Sequence, residues 1–296
     1  MSRPVLPRAW RADLALAFIT LIWGATFVVV KQALQDSSTL LFLALRFSLA
    51  TVALGLAFRP RRGQEAHSKW LLAGGVAAGV CLFSGYLLQC AGLRYTTPSK
   101  SAFITGLSIV MVPTLAALGQ RKLPHLWEVA GVVIATGGMA LLTLPGQSLR
   151  MGKGDLLTLG CALAFAVHIL AVGYYAPRLG FRTLTLVQIA TAAALALSSF
   201  WWVETPMIRW RAGVAIALLV TGLLATALAF GVQAWAQQYT TPTRTALIFA
   251  LEPVFVWVTS YLLTGELLSR HGTLGAALIL AGILLVELKP AAATPR

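Results

Sequence analysis

Residues 95–106 read YTTPSKSAFITG, and residues 239–250 read YTTPTRTALIFA. Tyr95 and Tyr239 are 144 residues apart, about half of the 296-residue chain. Six of the twelve positions are identical, and Ser99/Thr243, Lys100/Arg244, Ser101/Thr245 and Phe103/Leu247 are conservative pairs. The register continues beyond the motif. Gly131 falls on Gly275, Gly138 on Gly282, and Leu141-Leu142 on Leu285-Val286. Towards the start of the chain, Asp13-Leu14 falls on Asp155-Leu156 at an offset of 142. The chain is therefore two copies of one unit, which the alignment divides as residues 1–146 and 147–296.

What the unit is follows from hydropathy. Hydrophobic residues make up 58% of the chain and charged residues 11%, against about 25% charged in a soluble domain. That is too little polar surface to face water, and it predicts an all-α integral membrane protein. Apolar runs near the roughly 20 residues a span requires fall near 12–33, 39–58, 69–92, 99–119, 125–144, 154–176, 183–202, 211–237, 243–264 and 271–288. These are about ten spans, five per half. Five is odd, so the second half enters the membrane with opposite polarity. The expectation is two inverted-topology five-helix repeats, an architecture of secondary transporters in which a central site opens alternately to either side. The first apolar run follows basic residues, as in a signal peptide. It is too long, and no small-residue cleavage site follows it, so it reads as a retained first span.

The net charge of +14 does not point to nucleic acid, because the basic residues sit in short clusters between apolar runs. Placing the N-terminus inside puts 14 basic residues on the cytoplasmic side and 8 outside, with Arg46 within a span. That bias predicts both termini in the cytoplasm. Trp10, Trp70, Trp127, Trp201, Trp202 and Trp210 fall near span ends, as an aromatic belt requires. Cys81, Cys90 and Cys161 all lie in apolar runs and read as small core residues. With no CxxC or HExxH, the sequence implies no metal and no cofactor.

The repeated motif is helix-start chemistry. Thr97 and Thr241 can cap the following helix, and Pro98 and Pro242 suit its first turn. Lys100 and Arg244 are cations at the positive end of a helix dipole, which is locally unfavourable. Either they complete an anion site with the helix N-terminus, or they anchor an interface.

The sequence resembles the drug/metabolite transporter superfamily, EamA-type branch. The residues that carry the resemblance are WGATFVVVK (23–31), LRF (45–47), the two YTTP motifs, LEPVF (251–255), TGE (264–266) and the glycine-rich ends of each half. It covers nearly the whole chain. It implies ten helices in two inverted repeats, an inner-membrane location, and export or uptake of small metabolites. The halves have specialised: Ser108 aligns with Glu252, and Lys122 with Glu266.

Charged groups within spans cost roughly 2.5–3.5 kcal/mol each on insertion scales, which makes them functional candidates. Arg46, His168 and Glu252 meet that test, with Lys31 and Lys100 near span ends. Glu252 suits a proton or a cationic group, or a structural pair with Arg46. Arg46 suits a substrate carboxylate, or that same pair. His168 is either a proton relay or a hydrogen-bonded core residue. Lys31 either shares a helix face with Trp23 and Phe27 or snorkels to the surface. Pro253, directly after Glu252, and Pro113 in the first half are expected hinges. Trp23, Trp235 and Trp257, with Tyr86, Gln89, Tyr174, Gln188 and Gln233, are the aromatic and amide groups available to line a pocket. Of these, Trp23, Tyr86, Gln89, Gln233 and Trp235 join Arg46, His168 and Glu252 as the expected substrate-binding set. Gly24, Gly85, Gly106, Gly138 and Gly282 are expected to permit close helix packing.

Three function classes follow. A secondary transporter of small organic metabolites, such as amino acids, leads. Its partners would be a small-molecule substrate, membrane lipid and protons as the candidate coupling ion, in a monomer or a homodimer. A lipid translocase would use the same fold with a groove open to lipid. A membrane-embedded enzyme is disfavoured: there is no zinc motif, no pair of mid-span aspartates and no GxSxG. Ser99 and Lys100, adjacent on a helix, point in different directions and form no dyad. No Walker motif is present to supply ATP drive.

Overall fold

A computed structural model describes residues 8–58, 69–121, 125–144, 151–264 and 270–287. The first half contains α1 (Arg8–Ala33), α2 (Thr39–Ala57), α3 (Lys69–Leu93), α4 (Pro98–Gly106), α5 (Ser108–Gln120) and α6 (Leu126–Thr143). The second contains α7 (Lys153–Leu179), α8 (Phe181–Val203), α9 (Ala212–Leu219), a π-helical segment (Val220–Leu228), α10 (Ala229–Ala236), α11 (Pro242–Phe249), α12 (Glu252–Thr264) and α13 (Arg270–Glu287). Extended structure among the described residues is confined to one bridge, Ser37 with Ile208. Among the described residues, seven helical stretches are long and apolar enough to cross a membrane, and Leu126–Leu142 and Arg270–Val286 are shorter apolar helices. The broken helix α11–α12 supplies the tenth segment. Glu266 and Lys122 lie outside the described residues.

Contacts between the halves come in exchanged pairs. Helix α6 runs along α13, and α2 along α8. The first half's α3 packs on α7, as the segment α9–π–α10 packs on α1; α4 and α5 pack on α7, as α11 and α12 pack on α1. The α6–α13 crossing shows the inversion directly. A Cβ on Gly131 would lie 2.8 Å from the Gly282 carbonyl, and one on Gly138 would lie 2.6 Å from the Gly275 carbonyl. Rising residue numbers on one helix meet falling numbers on the other, so the repeat's equivalent helices are antiparallel. Their backbones touch because all four positions lack a side chain.

Gly138→Leu is therefore expected to destabilise the protein by about 3 kcal/mol, the upper end for overpacking, because backbone rather than a movable side chain stands in the way. Gly137→Leu is the control, since a Cβ there meets nothing within 4 Å. Thermal midpoints of the two purified variants check this, and equal shifts would refute the crossing.

The motif caps α4 and α11 as its chemistry requires: Thr97 accepts from the Lys100 amide and Thr241 from the Arg244 amide, each at 3.2 Å. Both helices then break at the same depth. Leu107 follows α4, and Ala250-Leu251 follow α11, with Leu107 at φ −61°, ψ −11° and Ala250 at φ −62°, ψ −11°. Pro253 stands just past the second break and has no N–H for the Phe249 carbonyl. Pro113 does not mark the first: α5 continues through it, and the discontinuity lies six residues earlier, at Leu107. A proline in mid-helix removes one hydrogen bond, whereas the change in ψ at Leu107 redirects the chain.

One end of the bundle is stitched across the halves. Glu204 from the second half accepts from the amides of Thr39, Leu40 and Leu41 at 3.0, 2.6 and 3.0 Å. It places a carboxylate on the N-terminus of α2, where the dipole favours it. Beside it, the Ser38 amide donates to the Met207 carbonyl at 2.7 Å, and Arg94 donates to the Ser37 carbonyl at 2.8 Å.

Candidate functional site

The two helix breaks face a central cavity lined by α1, α2, α3, α7, α10 and the broken helices. Trp23, Arg46, Tyr86, Gln89, His168, Gln233 and Glu252 all line it. The volume open to a water-sized sphere is about 70 Å³, room for only a few waters. Trp235 is the exception among the expected binding residues. It lines a separate, apolar groove with Leu54, Phe58, Phe181 and Leu223, and its ring rests against Tyr239. Two residues beyond Gln233 on a helix, it points away from the cavity.

An aromatic wall surrounds the polar groups. The Trp23 ring lies 5.0 Å from Phe249 and 5.3 Å from Phe230, centroid to centroid. Its Nε1 donates to the Ala225 carbonyl at 2.8 Å. Gly24, the next residue, lets α1 lie on the α12 backbone: a Cβ there would sit 3.0 Å from the Glu252 carbonyl.

Arg46 is 2% exposed. Its Nε donates to Thr226 Oγ1 at 2.7 Å, and its guanidinium carbon stands 4.1 Å from the centre of the Tyr86 ring. Glu252 is the first residue of α12, directly after the break. No ion pair joins Arg46 to Glu252, and Glu252 has no hydrogen-bond or ion-pair partner among the described residues. The structural pairing of the two charges is not present. The Arg46 guanidinium and the Glu252 carboxyl group face one cavity without pairing with each other.

The remaining polar groups are partly committed. His168 Nε2 shares a hydrogen bond of 2.7 Å with Gln188 Oε1, and its ring stands edge-on to Phe230. Gln233 donates to Gln237 Oε1 at 3.0 Å, and Gln237 donates to the Ile169 carbonyl at 2.9 Å. Among the described residues the Gln233 Oε1 atom has no hydrogen-bond partner, so a buried acceptor remains available. Thr26, Thr105 and Ser108 add hydroxyls to the wall. Sequence reasoning did not single out Thr226, although Thr221 and Thr226 were visible as isolated polar residues in an apolar run.

Other candidates lie elsewhere. Tyr174 is exposed and carries the Arg178 guanidinium on its ring. Lys31 donates to the Thr96 carbonyl at 2.6 Å. The two motif cations do not form anion sites, because each already has a carboxylate. Lys100 Nζ is 2.6 Å from Asp155 Oδ2, and Arg244 Nη2 is 2.6 Å from Asp13 Oδ2. Each pair joins one half to the other, and the repeat exchanges them. The first lies at the bundle end that holds Glu204, the second at the opposite end.

Comparison with known proteins gives concordant matches. The family model of the EamA-like transporter family matches residues 10–144 and again residues 152–288. An uncharacterized transporter of Archaeoglobus fulgidus is 34% identical over 279 residues, covering 94% of this chain and 86% of that protein. A probable amino-acid metabolite efflux pump of Salmonella typhimurium is 26% identical over 293 residues, covering 90% of this chain and 91% of that protein. A solved crystal structure superposes with a TM-score of 0.75 at 18% identity, over 94% of this chain and 96% of that one; this likeness concerns the fold.

Proposed function

Since the chain belongs to the EamA-like transporter family of multi-pass membrane transporters, we propose that it moves small zwitterionic metabolites of the α-amino acid type by alternating access. The observation that carries the reading is the unpaired arrangement of Arg46 and Glu252 around one cavity. A guanidinium offers a planar fork to a carboxylate. Glu252, with the free Gln233 oxygen, offers acceptors to an ammonium group. The aromatic wall takes the apolar remainder of the solute. The name given to the Salmonella relative agrees with this class.

Residues 1–146 and 147–296 are the two units that exchange shapes. The ion pairs Lys100–Asp155 and Arg244–Asp13 close the two ends, and opening either end breaks the pair there. Both are formed together here, around a contracted cavity, as in an intermediate closed to both sides. The basic-residue bias places both termini in the cytoplasm of a cell whose inner membrane holds the protein, with Lys100–Asp155 at the outer face. Glu252 carries the coupling proton when no ammonium group occupies its place. The machinery is transport rather than catalysis.

Solute flux into proteoliposomes tests the proposal, with amino acids, simple carboxylates, amines and nucleosides offered separately, with and without a pH gradient. Saturable flux confined to α-amino acids is expected, accelerated by the gradient. Flux of nucleosides alone would overturn the substrate class. The apolar groove beside Trp235 favours one second reading, lipid translocation. Flipping of labelled phospholipid, with no solute flux, would establish it instead.

A further inference from the structure

The π-helical segment Val220–Leu228 runs for nine residues, where π geometry is usually a single turn inside an α-helix, often at a functional site. Two cavity residues from the first half rest on consecutive positions of it. Trp23 Nε1 donates to the Ala225 carbonyl, and Arg46 Nε donates to Thr226 Oγ1. Neither contact is with another side chain of the expected binding set.

The direction of the Thr226 bond is fixed by the π register. The hydroxyl spends its one hydrogen on the Thr221 carbonyl, five residues back, at 2.7 Å. Its oxygen is then left as an acceptor, which is what an arginine Nε–H requires. In α register the same hydroxyl would turn to the carbonyl four residues back, at Gly222, and its lone pairs would turn with it. Gly222 also sets the spacing. A Cβ there would lie 2.8 Å from Leu49 and 3.3 Å from the Arg46 carbonyl, so α2 and the π segment pack too closely for a side chain.

With Nε held by Thr226 and the guanidinium laid on Tyr86, the terminal nitrogens are the part of Arg46 left to meet a ligand. Among the described residues, no carboxylate or carbonyl accepts from them. We propose that Thr226 is the positioning residue of the transport site: through the π register it holds the Arg46 fork towards the cavity, and it thereby sets affinity for the carboxylate end of the solute. This rests on the reading of Arg46 as the carboxylate site.

The test uses the full chain in proteoliposomes. The probes are L-leucine and 3-methylbutylamine, its counterpart without the carboxylate, offered to the wild type and to Thr226→Val, Thr226→Ser and Arg46→Lys. Thr226→Val keeps the shape and removes the acceptor. It is expected to raise the half-saturation concentration for leucine about tenfold, the scale of one hydrogen bond to a charged group, and to leave competition by the amine unchanged. Thr226→Ser restores the wild-type value. A uniform loss for both probes, or no change in Thr226→Val while Arg46→Lys weakens leucine, overturns the positioning role and leaves the Arg46 reading standing. Absence of saturable leucine flux in the wild type, or an unchanged leucine value in Arg46→Lys, overturns the parent reading and this one with it. Should the valine variant fail to fold, Thr226→Ala carries the same comparison.

Discussion

Asp155→Asn is expected to lower the thermal midpoint of the purified protein by roughly 10 °C. Removing one partner of a buried ion pair costs about 3–5 kcal/mol because the other charge stays behind, and each kcal/mol is worth roughly 2–4 °C at this size. The Lys100 and Asp155 side chains are 11% and 4% exposed, so water cannot replace what the carboxylate gives the ammonium group. Asp155 also accepts from the Gly152 amide and from Thr96 Oγ1, each at 2.8 Å. Replacing it therefore loosens the start of α7 and the turn before α4 together. A double-mutant cycle isolates the pair: Lys100→Met with Asp155→Asn should do less harm than the two single changes added. Additivity within about 0.5 kcal/mol would show that the charges do not interact. The equivalent change at the other end, Asp13→Asn, should cost less, because the Arg244 side chain is 25% exposed and the solvent screens it.

Those ion pairs also show what the sequence could and could not reveal. The repeat offset aligned Lys100 with Arg244 and Asp13 with Asp155, so all four residues were in view. Their pairing was not, because it joins the motif of one half to the first helix of the other. Linear offsets relate equivalent residues; they do not report which residues of opposite halves meet. Of the two helix breaks, the second was signalled by Pro253, which stands just past it, while the first was hidden: Pro113 drew attention, yet the chain turns six residues earlier at Leu107, through a ψ value that ordinary residues adopt. The central cavity was more legible. Polar and aromatic residues in apolar spans must face inwards, and that rule assembled Trp23, Arg46, Tyr86, Gln89, His168, Gln233 and Glu252 around one space. It failed for Trp235, an amphipathic residue equally at home on an outer apolar groove. It could not foresee the π segment either, since its register depends on packing against α1 and α2.

Neutralising either cavity charge should invert the selectivity of transport rather than only reduce its rate. With Glu252→Gln the cavity keeps Arg46 and carries an excess positive charge. Zwitterion flux is expected to fall about 10- to 100-fold, the loss of one charge-assisted interaction, while simple carboxylates gain relative to amino acids. Arg46→Gln leaves Glu252 and an excess negative charge, so amines should gain instead. Glutamine preserves hydrogen-bonding capacity and nearly the volume of glutamate, so Glu252→Gln tests charge rather than packing. The same variant should lose its response to an imposed pH gradient, because an amide cannot carry the coupling proton. The measurement is competition by a carboxylate, an amine and an amino acid of matched size against a labelled amino acid, in each variant at equal reconstituted protein. Opposite shifts in the two variants identify Arg46 and Glu252 as the two poles of the binding site. Equal losses for all three competitors in both variants would mean that the charges support the fold and that the solute is recognised elsewhere.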